Sequence, residues 1–174
     1  MRRLILFRHA KSDWPEGLSD RERPLAARGR EAAPRMGAYL AAEGLLPDRV
    51  LVSTALRTRE TWDLLAPSFG AVDTVLEPGI YEAPAGRLLD LARQTPAGVR
   101  TLMIVGHNPG MEDLARLLVG YGDRYAFARL TQKYPTAGVA VIDADIEDWS
   151  DLEPRQGRLD RFVTPTSLGA GEDD

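Results

Sequence analysis

The sequence predicts an α/β domain of three layers, with a mostly parallel sheet held between helices on each side. Three observations predict it. Short apolar runs rich in β-branched residues alternate along the chain with segments of helical spacing, the order expected of a parallel sheet with crossover helices. The runs are nearly continuously apolar, as in strands buried on both faces, rather than alternating apolar and polar as in strands with one wet face. The 174 residues suffice to bury such a core, and no repeat or linker divides them.

Each element follows in chain order. The first strand is the run "LILF" at 4–7. After it, Ala33, Met36 and Leu40 recur at i, i+3 and i+7 and predict a helix that Gly44 stops. Pro34 falls inside that pattern and predicts a first turn or a kink there. The second strand is "RVLVS" at 49–53, followed by a helical face of Trp62, Leu65 and Ala66. The third and fourth strands are "VDTVL" at 72–76 and "TLMIVG" at 101–106. Met111, Leu114, Ala115 and Leu118 then share a helical face, and "GVAVIDA" at 138–144 makes the fifth strand. Residues 1–168 read as one domain and the closing "GAGEDD", 169–174, as a frayed tail.

Composition excludes several functions. A formal charge of −4 argues against a nucleic-acid partner, which calls for a basic face. The absence of cysteine removes disulfides, thiolate metal sites and cysteine nucleophiles. "MRRLILFRHA" holds only four consecutive apolar residues, too few for a signal-peptide core, and no later run nears the roughly 18 needed to span a membrane. The expectation is a cytoplasmic protein that does not contact membranes.

The chemistry gathers at strand ends. The chain has two histidines, and both follow predicted strands directly: "LILF" runs into Arg8 and His9, and "TLMIVG" into His107. The loop after the second strand, "STALRTRET", carries Arg57 and Arg59. Ligands of open α/β sheets bind beyond the carboxyl ends of the parallel strands. Parallel strands would therefore bring Arg8, His9, Arg57 and His107 to one edge. Arginine forks bind phosphate oxygens bidentately, and a neutral histidine is a competent nucleophile toward phosphorus. A second histidine, if protonated, adds positive charge and a donor. Such a set performs phosphoryl transfer by positioning and charge stabilisation, so neither a metal nor a cofactor is expected. In "GHNPGMEDLARLL", Asn108 suits an N-cap and Pro109 a first helical position, which aims a helix N-terminus at the same edge.

Three ordered motifs resemble those of the histidine phosphatase superfamily. "RHAKS" is similar to its arginine-histidine signature after the first strand, "STALR" (Ser53 to Arg57) to its serine-x-x-x-arginine stretch, and "VGHNP" to its second histidine after the fourth strand. "DRERPLAARGREAAPRMGAYL" and "YPTAGVAVID" look like the small bacterial branch related to phosphohistidine phosphatases. The resemblance implies a phosphoglycerate mutase-like fold. It makes His9 the phospho-accepting nucleophile, Arg8 and Arg57 the phosphate clamps and His107 their partner, with Arg59 left on a helix surface. Ser12 and Trp14 fit the mutase-type signature, although Pro15 stands where those members carry asparagine. Ser12 is thereby nominated as a phosphate contact, and Trp14 as a packing residue or a lip facing substrate. "IYEAPAG" fits the family's general-acid stretch loosely and nominates Glu82, with Glu77 as competitor.

These readings imply a metal-independent phosphatase acting on phosphohistidine in a protein. An imidazole leaving group needs less help from an acid than an alkoxide does, and a chain without room for a cap suits a phosphorylated protein. Two alternatives stand beside it. One is a phosphatase or mutase for a small phosphomonoester; the other is a non-catalytic module that binds phosphorylated ligands, which would have no need of His9.

Overall fold

The strand that runs into His9 is the middle of the sheet. The structure, a computed structural model, describes residues 1–169. Its strands are β1 (Arg2–Arg8), β2 (Arg49–Val52), β3 (Asp73–Leu76), β4 (Thr101–Gly106), β5 (Val119–Gly122), β6 (Val139–Ala144) and β7 (Gly157–Val163). They form one sheet in the order β3-β2-β4-β1-β6-β7-β5. β6 runs antiparallel to β1 and β7, and the other pairings are parallel. The helices are α1 (Ala27–Ala42), α2 (Leu56–Leu65), α3 (Ala85–Arg93), α4 (Gly110–Leu118) and α5 (Arg124–Gln132).

Alternation along the central strands builds two cores. Leu4, Leu6, Leu102 and Ile104 point to one face, where Met111, Leu114 and Leu118 of α4 and Leu130 of α5 cover them. Ile5, Phe7, Met103 and Val105 point to the other, against Met36 and Leu40 of α1 and Trp62 and Leu65 of α2. Burying each such side chain contributes roughly 1.5–3 kcal/mol, and this holds β1 rigidly in place. α1 also pins the loop after β1. A Cβ at Gly29 would lie 2.2 Å from the Lys11 carbonyl, so only glycine allows that approach. The Ala26 amide donates to the same carbonyl at 2.9 Å.

The predicted three-layer architecture and mostly parallel sheet are present, and four elements join those predicted. β7 carries Arg158, Asp160 and Arg161, so it never reads as an apolar run, yet Leu159 and Phe162 are fully buried. β5 is short and largely exposed. α3 and α5 are nine residues each, with only three and two buried positions. One local reading is narrowed and one is corrected. Pro34 lies inside a 16-residue helix rather than in its first turn, and the helix continues past it although Pro34 gives the Arg30 carbonyl no N–H. α4 begins at Gly110 with Pro109 as its N-cap, after a cis Asn108–Pro109 bond. Asn108 therefore sits one residue outside the cap, where its Oδ1 still accepts from the Glu112 amide at 3.1 Å. Of the expected tail only Gly169 is described, ending a short turn in the left-handed region at φ 84°; 170–174 lie outside the described residues. Among the described residues no helix is long and apolar enough to cross a membrane.

Candidate active site

Strand register sets the site. Arg8 pairs with Gly106 across β1 and β4, so His9 and His107 are the next residue of each strand. Val52 of β2 pairs with Val105, which brings Ser53 and then the start of α2 to the same edge. The His9 amide donates to the Gly106 carbonyl at 3.0 Å and the Ser53 amide to Val105 at 3.1 Å, which extends the ladder through the site. The two imidazole rings lie 5.4 Å apart, tilted by 56°.

His9 is 6% exposed. Its Nδ1 lies 2.7 Å from the Ala10 carbonyl. A carbonyl oxygen only accepts, so Nδ1 carries the proton and Nε2 is left with its lone pair. The loop is braced in turn, because the Ala10 amide donates to Thr61 Oγ1 at 3.0 Å and that hydroxyl donates to the Arg57 carbonyl at 2.7 Å. Burial holds the His9 pKa well below 6.5, helped by His107, Arg8 and Arg57, against the opposing pull of the Ala10 bond. His107 is held down to about 4, by burial first and then by Arg57 and Arg8. Both rings are thus neutral near pH 7, so the condition that His107 be protonated is not met in the free protein. His107 Nε2 shares a 2.7 Å hydrogen bond with the Ser53 hydroxyl, and Nδ1 is buried without a partner among the described residues.

The arginines stand around these rings. Arg8 Nη1 donates to the Tyr134 carbonyl at 2.8 Å, and Asn108 Nδ2 reaches the same oxygen at 3.1 Å. Arg57, at the start of α2, is buried. It donates from Nη1 to the Asp20 carbonyl at 2.7 Å and from Nη2 to Asp20 Oδ2 at 3.0 Å. A cleft of about 440 Å³ opens alongside, lined by Arg57, Tyr81, Glu82, His107, Asn108 and Asp113.

The remaining nominated residues fall into different places. Glu82 is exposed on the wall of that cleft with φ 56°. Glu77 instead accepts from the Gly79 amide at 2.8 Å and caps a short turn. The Ser12 hydroxyl is buried and accepts from Arg23 Nη2 at 2.6 Å. Trp14 is 76% exposed, with the Arg23 guanidinium 3.2 Å above its ring. Arg59 is exposed on α2.

Sequence reasoning overlooked a group that links these parts. Asp20 also accepts from Arg23 Nη1 at 3.0 Å and from the Tyr81 hydroxyl. Those bonds, from Tyr81 first and then the two arginines, hold its carboxyl far below the usual carboxylate range against the effect of partial burial. Tyr81 in turn meets the His107 ring edge-on at 5.5 Å. Asp20 opens "DRERP", four charged residues running into a proline, a composition ordinary for a solvent-facing loop. Nothing in spacing alone marked it as facing Arg57. Among the described residues no group of three or more histidine, aspartate or glutamate side chains is placed to hold a metal ion.

The chain matches the profile of the histidine phosphatase superfamily (branch 1) over residues 4–100. An uncharacterized protein of Mycobacterium tuberculosis is 36% identical over 161 residues, spanning 91% of this chain and 99% of that protein. The crystal structure of the candidate phosphohistidine phosphatase SixA from Agrobacterium tumefaciens is 33% identical, with a TM-score of 0.80 over 94% of this chain and 98% of that one. Its counterpart from Nakamurella multipartitia is 25% identical, with a TM-score of 0.78 over 94% of this chain and 96% of that one. With the arginine and histidine motifs on one sheet edge, and these likenesses running nearly end to end, the chain belongs to the histidine phosphatase superfamily, in its small SixA-like bacterial branch.

Proposed function

We propose that the protein is a metal-independent phosphatase that works through a phosphohistidine at His9, with phosphohistidine in a protein as its substrate. The observation that carries the reading is the bond from His9 Nδ1 to the Ala10 carbonyl, which leaves Nε2 unprotonated at the carboxyl end of β1. Nε2 attacks phosphorus, the bond from phosphorus to the substrate nitrogen breaks, and the departing imidazole takes up a proton. Water then attacks the phosphorus on His9 and releases orthophosphate, which restores the free imidazole. Arg8 and Arg57 balance the charge of the transferring group, and no step calls on a metal. His107 is neutral before substrate arrives. A bound phosphoryl dianion offsets the cations that hold its pKa down, so its protonation is coupled to substrate binding.

The substrate class rests on leaving-group chemistry. Imidazole, with a conjugate-acid pKa of about 6.5, departs readily once protonated, whereas an alkoxide needs a strong acid beside it. Glu82, the candidate for that task, stands exposed on the wall of the cleft beside His107 rather than enclosed with the leaving group, which favours the leaving group that needs less help. An open wall also admits a side chain presented by another protein. The likeness to SixA proteins named as candidate phosphohistidine phosphatases supports the same reading. A turnover screen in excess EDTA across a phosphohistidine peptide, sugar phosphates and an acyl phosphate tests it. Turnover of the peptide above the others supports the proposal. Turnover of the esters alone, or activity that returns only with a divalent ion, overturns it.

A further inference from the structure

Arg57 is held by one residue. Asp20 takes an N–H from Nη1 on its backbone carbonyl at 2.7 Å and one from Nη2 on its carboxylate at 3.0 Å. A guanidinium carries five N–H donors in one rigid plane, so two anchored donors at the tip fix the orientation of the rest. Nε of Arg57 is buried with no partner among the described residues, although buried donors are normally satisfied. Asp20 is itself tied from two further directions, by Arg23 Nη1 at 3.0 Å and by the Tyr81 hydroxyl. Arg23 continues the chain to the Ser12 hydroxyl at 2.6 Å and to the Asp13 carbonyl at 3.0 Å. Tyr81 continues it to His107, whose ring it meets edge-on. The segment is further pinned to the loop before α2, where Arg21 Nη1 donates to Thr54 Oγ1 at 3.1 Å and stacks over Tyr81 at 4.3 Å.

We infer that Asp20 is a positioning residue for the phosphoryl-transfer step: it orients the Arg57 guanidinium, and it transmits the placement of the loop after β1 and of Tyr81 to that clamp. The inference rests on the phosphatase reading of the site. Asp20 is a carboxylate, so it offers a phosphoryl group no attraction of its own, and its two bonds act on the placement of Arg57. Its loss is therefore expected to appear in rate rather than as a rise in KM. This separates it from Arg57, whose loss removes a positive charge and weakens binding as well.

A double-mutant cycle on the intact protein tests this. Asp20→Asn keeps size and hydrogen-bonding capacity but gives up the charge-assisted bonds, and is expected to lower kcat on a phosphohistidine peptide by about tenfold without raising KM. In an Arg57→Ala background the same substitution should change kcat by less than about twofold, because the group it orients is gone. Equal loss in both backgrounds, a rise in KM alone, or no change in either constant overturns the inference. A second measurement needs no turnover. The Arg57 guanidinium N–H signals, seen by NMR with inorganic phosphate as the probe, should be sharp and phosphate-responsive in the wild type, and broadened before phosphate is added in Asp20→Asn. Identical signals in both proteins also overturn it. A wild type that binds phosphate through an ordered Arg57 yet turns over no phosphohistidine would instead defeat the phosphatase reading.

Discussion

Arginine–carboxylate clusters stand at both ends of β1, and they are built differently. At the start of the strand, Asp143 is almost fully buried and takes Arg3 bidentately at 2.7 and 3.0 Å, with Arg158 on the same carboxylate at 2.7 Å. Asp160 and Glu43 complete the set by pairing Arg158 and Arg161. Charge is matched there, carboxylate for guanidinium. At the far end Arg23 and Arg57 share one carboxylate, Asp20, beside two neutral imidazoles whose pKa values are pressed down by burial and by the surrounding cations. One cluster closes on itself and stabilises the sheet. The other is left with positive charge and, among the described residues, with no partner for Arg57 Nε or His107 Nδ1. An unbalanced cluster at the carboxyl ends of parallel strands is short of an anion, which is what the proposed phosphate site requires.

Substitutions at the two ends should separate activity from stability. The largest effect is expected for His9→Ala, which removes the proposed nucleophile and should abolish turnover. Its thermal midpoint should stay near the wild type, since the ring gives up one hydrogen bond to Ala10 and β1 remains locked by Leu4 to Phe7. Normal turnover by this variant would erase the distinction between the clusters. Arg57→Ala comes next, with a loss of about a hundredfold to a thousandfold in kcat, or roughly 3 kcal/mol of transition-state stabilisation. Steady-state kinetics check it, and a loss under threefold would show that Arg57 serves Asp20 rather than phosphate.

Asp143→Asn should do the reverse. It leaves kcat/KM within about twofold and lowers unfolding free energy by about 1–3 kcal/mol, because the guanidiniums it held lose charge-assisted bonds but reach solvent. Chemical denaturation with parallel kinetics reads both quantities. Glu82→Gln should have the smallest effect on phosphohistidine turnover, under threefold, while any turnover of an alkyl phosphate falls by more than tenfold. A large loss on phosphohistidine would move Glu82 to the centre of the reaction.

The pH dependence sharpens the same contrast. With only two histidines in the chain, one substitution assigns both imidazoles in an NMR titration. Neither should titrate near 6.5 in the free protein, and His107 should do so near 4. A histidine held below its unfolded pKa binds fewer protons folded than unfolded. Stability therefore falls as pH drops below about 6.5, through the window down to about 4, and His107→Gln should flatten that decline. Saturating phosphate should raise the His107 value.

Much of this was legible in the sequence because strand ends are. An apolar run that stops at Arg8 and His9, and another that stops at His107, need only the inference of parallel pairing to meet, and the register of β1 on β4 makes them adjacent. The missing strands were hidden by composition. β7 carries charge on the side where Arg158 and Arg161 pair with carboxylates, whereas α3 does carry a helical spacing, Leu88, Leu89 and Ala92 at i, i+1 and i+4, that sequence reasoning passed over, and α5, like α3, spans only nine residues. Asp20 was hidden for another reason. Its partners Arg57, at the start of α2, and Tyr81, in the loop before α3, lie 37 and 61 positions away, and no local pattern encodes their meeting.

The central bond of the proposed reaction is the one from His9 Nε2 to phosphorus. Rapid quenching of the wild-type protein with a radiolabelled phosphohistidine peptide, followed by digestion and mapping, looks for it directly. The prediction is transient label on the peptide containing His9, lost in acid and stable in alkali, and absent from His9→Ala. Label on Ser12 or Ser53, or steady turnover with no label on the protein at any time point, would contradict it.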